Sequence, residues 1–277
     1  MPVIHPTASV SKESQIGEGV EIGPFCVLTG KVVLGAGVKL IGNVYLNGPI
    51  EIGAGTTVYP FACLGFPGQD VKFTPGMPTP GVKIGSNCLI RESATVHAAT
   101  KPEHATTVGD NVFMMAYTHV GHDARLGNNI VMVNSAAVAG HVEVGDNVII
   151  SGGAVVHQFV RVGRLAFFSG GTAVSADVPP FCIVTARQII GGINRVGMRR
   201  GGVPRDEITK VDHAFRTALR GGLMRQDMIE RLTEQGRTSP AVAEMARFVA
   251  ASKRAVCQAT RRHSGSRGSV HEDVASE

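Results

Sequence analysis

An apolar residue recurs at every sixth position through most of the first 174 residues, and neither a helix nor a simple strand has that period. The first run is Ile4, Val10, Ile16, Ile22, Leu28, Leu34, Leu40, Leu46, Ile52, Val58 and Leu64. The second is Ile84, Ile90 and Val96, then Val108 to Val174 in steps of six. Small or β-branched residues stand four places after many of these anchors, as at Cys26, Thr56, Ala94, Thr118, Ala136 and Ala154. The pattern predicts a hexapeptide parallel β-helix, in which three short strands make an 18-residue coil. Anchors fill the interior, and glycines such as Gly17, Gly127 and Gly163 are expected to permit the corner turns.

The repeat has two interruptions. Leu64 and Ile84 are twenty residues apart, which breaks the phase, and Pro67, Pro75, Pro78 and Pro80 fall between them. A loop is expected over 65–83. A second is expected over 97–107, where the spacing holds but Pro102 replaces the anchor. Such loops on a rigid scaffold commonly carry function. After Val174 the sequence Asp177-Val-Pro-Pro180 predicts the end of the solenoid, giving a β-helix over 1–185. An α-helical domain is expected over 186–259. Its first helix spans Pro204–Arg220 with Ile208, Val211, Phe215 and Leu219 on one face. A second lies near Gln226–Gln235, and a third follows Ser239-Pro240 and buries Val242, Met245 and Val249. Residues 260–277 are rich in Ser and Arg and are expected to be disordered.

A net charge of +5 and a pI near 9.1 suit anionic partners. With no Trp and three Tyr, stacking on nucleic acid bases is poorly supported. Five cysteines, an odd number without a CxxC pair, point to a reducing compartment. The N-terminus shows no basic-then-apolar signal, and no apolar run approaches the length of a membrane span. A soluble, cytoplasmic protein is expected.

Positions eighteen apart stack one strand spacing apart, about 4.8 Å. Gly140 should therefore lie over His122, with His141 one residue further on and His157-Gln158 on the next coil. Three histidines form a column beside Asp123. A single corner histidine is ordinarily a surface residue, but the alignment of three beside a carboxylate favours chemistry. Zinc is one possibility, although whole-coil spacing makes the three imidazoles span about 10 Å or more, so that they cannot converge on one ion unless a neighbouring subunit contributes. Zinc-dependent β-helix hydratases carry a His-x4-His pair, which this chain lacks; His119 and His122 have the wrong spacing. A general base fits better. His122 can take a proton from a sugar hydroxyl attacking a thioester, Asp123 or a backbone carbonyl can fix its tautomer, and the Gly140 N–H can stabilise the oxyanion.

Several stretches resemble the acyl-carrier-protein-dependent UDP-N-acetylglucosamine O-acyltransferases over roughly residues 1–250. They are Gln69-Asp-Val-Lys72, Ile90-Arg-Glu-Ser93, His119-Val-Gly-His-Asp123, Ala139-Gly-His141, Ala154-Val-Val-His-Gln-Phe159 and Asp177-Val-Pro-Pro180. The resemblance implies a left-handed β-helix and a homotrimer with sites between subunits. It also implies transfer of a 3-hydroxyacyl chain from acyl carrier protein to the glucosamine 3-hydroxyl of UDP-N-acetylglucosamine, the start of lipid A synthesis, with no metal or organic cofactor. By motif, His122 matches the base, Asp123 its neighbour and Gly140 the oxyanion donor. Gln69, Asp70, Lys72, His119, His141, His157 and Gln158 match residues around the substrates. Asn194, Arg199 and Arg200 lie in the segment that contacts nucleotide and carrier, and Gly170 lies where the family sets acyl length by side-chain size. The chain departs from the family at Ala98-Ala99, at 186–189 and at Gly201. A 3-amino sugar acceptor, a related N-acyltransferase and a non-catalytic trimeric scaffold are the alternatives.

Overall fold

A computed structural model describes residues 1–74 and 76–259. The expected disordered tail, 260–277, lies outside the described residues. The chain winds as a left-handed parallel β-helix of triangular section, closed at its C-terminal end by a hairpin and helices. The first face begins with Val3–Ile4, the second with Ser9–Val10 and the third with Gln15–Ile16.

Most strands have only two or three residues, because the chain turns a corner every six. Each strand pairs in parallel with the strand one coil on. Met114, Met132, Ile150 and Phe168 thus stack at successive intervals of eighteen as one interior column. From Val20 onward the anchors and the small residues four places later are buried. Ile4, Val10 and Ile16 are not, because the first coil has no coil beneath it.

The repeat glycines have a different cause from the one expected. Gly17, Gly127 and Gly163 do not have positive φ; at the corners, residues such as Asn111, Asn129 and Asn147 take the left-handed conformation instead. Glycine is required because the next coil comes too close. A β-carbon on Gly163 would lie 2.3 Å from the Pro180 nitrogen.

Both loops are shorter than the sequence suggests. The first leaves after Phe66 and returns at Val82, and the second lies between His97 and Thr106. Thr95 pairs with His119, so the second loop inserts one whole six-residue period and leaves the phase intact.

The solenoid also continues past its expected end. Cys182–Ala186 pairs with the first face and then antiparallel with Ile189–Ile193, which in turn pairs with Gln258–Ala259. The expected boundary at 185/186 therefore cuts a β-hairpin, and the region after it is not wholly helical. Helix α1, Arg195–Arg200, was not apparent in the hydrophobic pattern because it is short and buries only Met198. Helix α2, Arg205–Ala214, runs into a π turn, Phe215–Leu219, and buries the four residues expected. Helix α3 is Arg225–Gly236 and α4 is Pro240–Ala251. Ser239 caps α4, accepting from the Val242 N–H, and Arg164 ties it to the solenoid through Glu244 at 2.8 Å. Among the described residues no helix is long and apolar enough to cross a membrane.

Candidate active site

The edge between the second and third faces gathers the chemistry. Asp123 occupies a left-handed corner position and is 2 % exposed. Its N–H donates to Thr106 Oγ1, and its carboxylate accepts the N–H groups of Thr100 and Lys101, the Thr100 hydroxyl at 2.8 Å and His122 Nδ1 at 2.7 Å. Burial alone would raise its pKa. The hydrogen bonds from His122, Thr100 and Lys101 outweigh burial and hold it below the usual carboxylate range. An ionised Asp123 assigns the His122 proton to Nδ1, which leaves Nε2 with its lone pair.

Gly140 stacks over His122 as the period predicts. A β-carbon there would lie 2.8 Å from both Nε2 and Cε1 of the ring. Gly140 is not in the left-handed region, so the imidazole rather than the turn excludes a side chain. Among the described residues its N–H has no acceptor.

Two of the three aligned histidines meet. His141 donates its N–H to the His122 carbonyl, and its ring stands edge-on to that of His122 with centroids 5.1 Å apart. It also stacks flat on Phe159 at 4.5 Å. The pair is thus one coil spacing apart, as stacking at eighteen predicts, with the His141 ring lying between His122 and Phe159. Burial lowers the His141 pKa, Asp123 opposes that effect, and His122, Lys101 and His104 reinforce it. His157 and Gln158 are exposed one coil further on, where the Gln158 carbonyl accepts from Arg254 Nη1 at 2.7 Å.

One ligand atom from each of His122, Asp123 and His141 lies within 4.8 Å of the others. As a cation site this set is poor, because Asp123 already accepts from two backbone N–H groups and a hydroxyl.

The first loop brings further candidates to the same edge. Gly68 sits so close that a β-carbon would be 2.8 Å from His122 Cβ and 2.5 Å from Thr100 Cγ2. Gln69 follows it directly, and Asp70 accepts the Lys72 N–H at 2.9 Å; Gln69 and Lys72 are exposed. On the second face His119 Nδ1 bonds Thr95 Oγ1 at 2.8 Å. The ring of His97, a residue sequence reasoning passed over, packs edge-on to His119 at 5.0 Å. His97 Nδ1 is buried without a protein partner, and its pKa is pushed down to about 4 by burial, with His119 and His122 adding to the effect. Counting the second loop as one extra period would have aligned His97 with Gly121, beside His122.

The remaining candidates stand apart from this edge within one chain. Asn194 is buried and caps α1, accepting from the Gly197 N–H, while its Nδ2 donates to the Leu165 carbonyl. Each end of its amide thus already holds one partner within the chain. Leu165 belongs to the edge between the third and first faces, so exposed Arg199 and Arg200 lie along a different edge from His122. Gly170 is exposed on the edge between the first and second faces.

The chain has close relatives. A family model described as UDP N-acetylglucosamine O-acyltransferase, domain 2, matches residues 177–257. The acyl-(acyl-carrier-protein)–UDP-N-acetylglucosamine O-acyltransferase of Mesorhizobium japonicum is 50 % identical over 248 residues, covering 89 % of this chain and 88 % of the relative. That of Thermodesulfovibrio yellowstonii is 38 % identical over 260 residues, covering 93 % and 100 %. The crystal structure of the Francisella novicida UDP-N-acetylglucosamine acyltransferase superposes with a TM-score of 0.88 at 34 % identity, covering 93 % of this chain and 94 % of that one. On this similarity along nearly its whole length, the chain belongs to the UDP-N-acetylglucosamine O-acyltransferase family.

Proposed function

We propose that this chain transfers a 3-hydroxyacyl group from acyl carrier protein to the 3-hydroxyl of the glucosamine in UDP-N-acetylglucosamine, the first step of lipid A biosynthesis. The observation that carries the mechanism is the pairing of His122 Nδ1 with Asp123 at 2.7 Å beside a glycine that has no side chain to crowd Nε2. His122 Nε2 takes the proton of the sugar hydroxyl as its oxygen attacks the thioester carbonyl. The Gly140 N–H, unpaired within the described residues, stabilises the oxyanion of the tetrahedral intermediate. Collapse breaks the carbon–sulfur bond, and the carrier's thiol leaves with the proton from His122. Asp123 stabilises the imidazolium between these two transfers.

Substrate positioning falls to Gln69, Asp70, Lys72, His119, His141, His157 and Gln158. Arg199 and Arg200 hold the nucleotide from a neighbouring copy, since they lie on another edge of their own chain. A homotrimer accounts for the surface chemistry. The first face presents Leu89, Phe113, Val131, Ile149 and Phe167 outward, and its edge with the second face carries Phe25, Phe61 and Tyr117, which are 59–68 % exposed. The third face is charged, with Arg125 paired to Glu143. Association through the first two faces covers the apolar rows and leaves the third in water. We place the reaction in the cytoplasm, where a carrier protein and a nucleotide sugar meet.

The test is His122→Ala. The expected result is an intact fold with activity reduced at least about 10²-fold, since a base of this kind contributes roughly 10²–10⁴. Retained activity would remove His122 from the role of base.

A further inference from the structure

The residues that hold Asp123 stand outside the repeat. The second loop inserts its extra period between His97 and Thr106, and Thr100 and Lys101 lie on it. Their main-chain N–H groups donate to Asp123 Oδ1 at 3.1 and 3.0 Å. The Thr100 hydroxyl donates to Oδ2 at 2.8 Å, and Oδ2 is also the atom that accepts from His122 Nδ1 at 2.7 Å. A carboxylate can only accept, so the direction of the Thr100 bond is fixed. Among the described residues this hydroxyl has no other hydrogen-bond partner. The first loop grips the segment from both of its ends. At its start the Phe66 carbonyl accepts from the Ala98 N–H at 2.8 Å, and buried Gly68 lies so close that a β-carbon would be 2.5 Å from Thr100 Cγ2. At its end the Thr79 hydroxyl donates to the Ala99 carbonyl, and the Gly81 carbonyl accepts from the Ala99 N–H at 3.2 Å.

We propose that Thr100 is a positioning residue for the base. Held by the first loop, its hydroxyl keeps the Asp123 carboxylate turned so that Oδ2 faces His122 Nδ1. Without the hydroxyl, Oδ2 keeps only the bond from His122 and a 3.1 Å contact from the Thr100 N–H, which is shared with Oδ1. A loosely held carboxylate rotates and its bond to Nδ1 weakens. The imidazole proton is then free to move to Nε2, the atom that must accept from the sugar. His141 does not replace the missing donor, since its Nε2 stands 3.8 Å from Oδ2. The same contacts tie the base to the loop that carries Gln69, Asp70 and Lys72, so a disturbance of that loop reaches His122 through Thr100. The inference rests on the reading of His122 as the general base.

The test compares Thr100→Val, which keeps the shape and removes the hydroxyl, with Thr100→Ser, which keeps the hydroxyl. The first readout is the nitrogen NMR spectrum of the His122 ring at about pH 8, where an imidazole is ordinarily neutral. It reports the tautomer and needs no turnover. The wild type and Thr100→Ser should show the Nδ1–H form alone, and Thr100→Val a mixture with the Nε2–H form. The second readout is steady-state kinetics. Thr100→Val should lower kcat about tenfold with KM for both substrates unchanged, as for loss of one hydrogen bond to a charged group, and Thr100→Ser should stay within about threefold of the wild type. Thr79→Val, which releases the Ala99 carbonyl, should give the same tautomer mixture to a smaller degree. An unaltered His122 tautomer in Thr100→Val would overturn the inference, as would one in Thr79→Val should Thr100→Val not fold. So would a loss of kcat that Thr100→Ser does not restore, which would make Thr100 a packing residue of the loop. A tautomer change in a protein whose wild type shows no turnover would strike the acyltransferase reading and uphold the positioning of His122.

Discussion

Gly140 lies against the face of the His122 imidazole, so a single β-carbon would come within 2.8 Å of the nitrogen that acts as base. This contact joins the two halves of the proposed chemistry, because the same residue offers the N–H for the oxyanion. Gly140→Ala should therefore fold normally, its backbone being open to any residue. Its activity should fall by about 10²-fold or more as the methyl group displaces the ring. Steady-state kinetics beside thermal unfolding separate the two effects; an active variant would show that the ring tolerates displacement.

The pH dependence of stability should carry the mark of His97. Its folded pKa of about 4 lies below the ordinary 6.5, so the unfolded chain binds the extra proton first. The contribution is complete above about 6.5 and is lost as pH falls toward 4. His119 and His141 are shifted in the same direction. Denaturant midpoints measured across this range should show a shallower decline for His97→Gln than for the wild type.

Gly170 has room that the fold does not use. A β-carbon there would meet only the Gly152 carbonyl, at 3.4 Å, and its φ is not left-handed. Gly170→Leu should leave the melting temperature within a few degrees of wild type and shift the preferred acyl chain to a shorter one. Competition between donors of different length measures this. An unchanged preference would detach Gly170 from the acyl site.

Arg200→Ala should weaken nucleotide binding with little effect on the fold, since Arg200 is exposed on α1. Titration with UDP-N-acetylglucosamine should show at least about a tenfold loss, as for removal of a charge-assisted hydrogen bond. Unchanged affinity would place the diphosphate elsewhere.

Much of the fold is legible because a period of six leaves one solution for where the anchors go. Stacking at eighteen also gives the Gly140–His122 contact directly. What the period does not carry is ring orientation at the corners: His141 stands edge-on to His122 and flat on Phe159, a matter of rotamer. Asn194 is a candidate ligand because its stretch through Arg200 resembles the family's nucleotide-contacting segment. Its role as a helix cap depended on α1, too short to leave a hydrophobic stripe. The carboxylate cage around Asp123 depends on Thr100 and Lys101, which lie in a loop that the repeat passes over.

The most direct measurement is to incubate the purified protein with UDP-N-acetylglucosamine and a panel of 3-hydroxyacyl carrier proteins and to weigh the product by mass spectrometry. A UDP-N-acetylglucosamine carrying one 3-hydroxyacyl group, absent with His122→Ala, is the predicted result. Absence of product with every donor, or transfer only to a 3-amino sugar acceptor, would contradict the account.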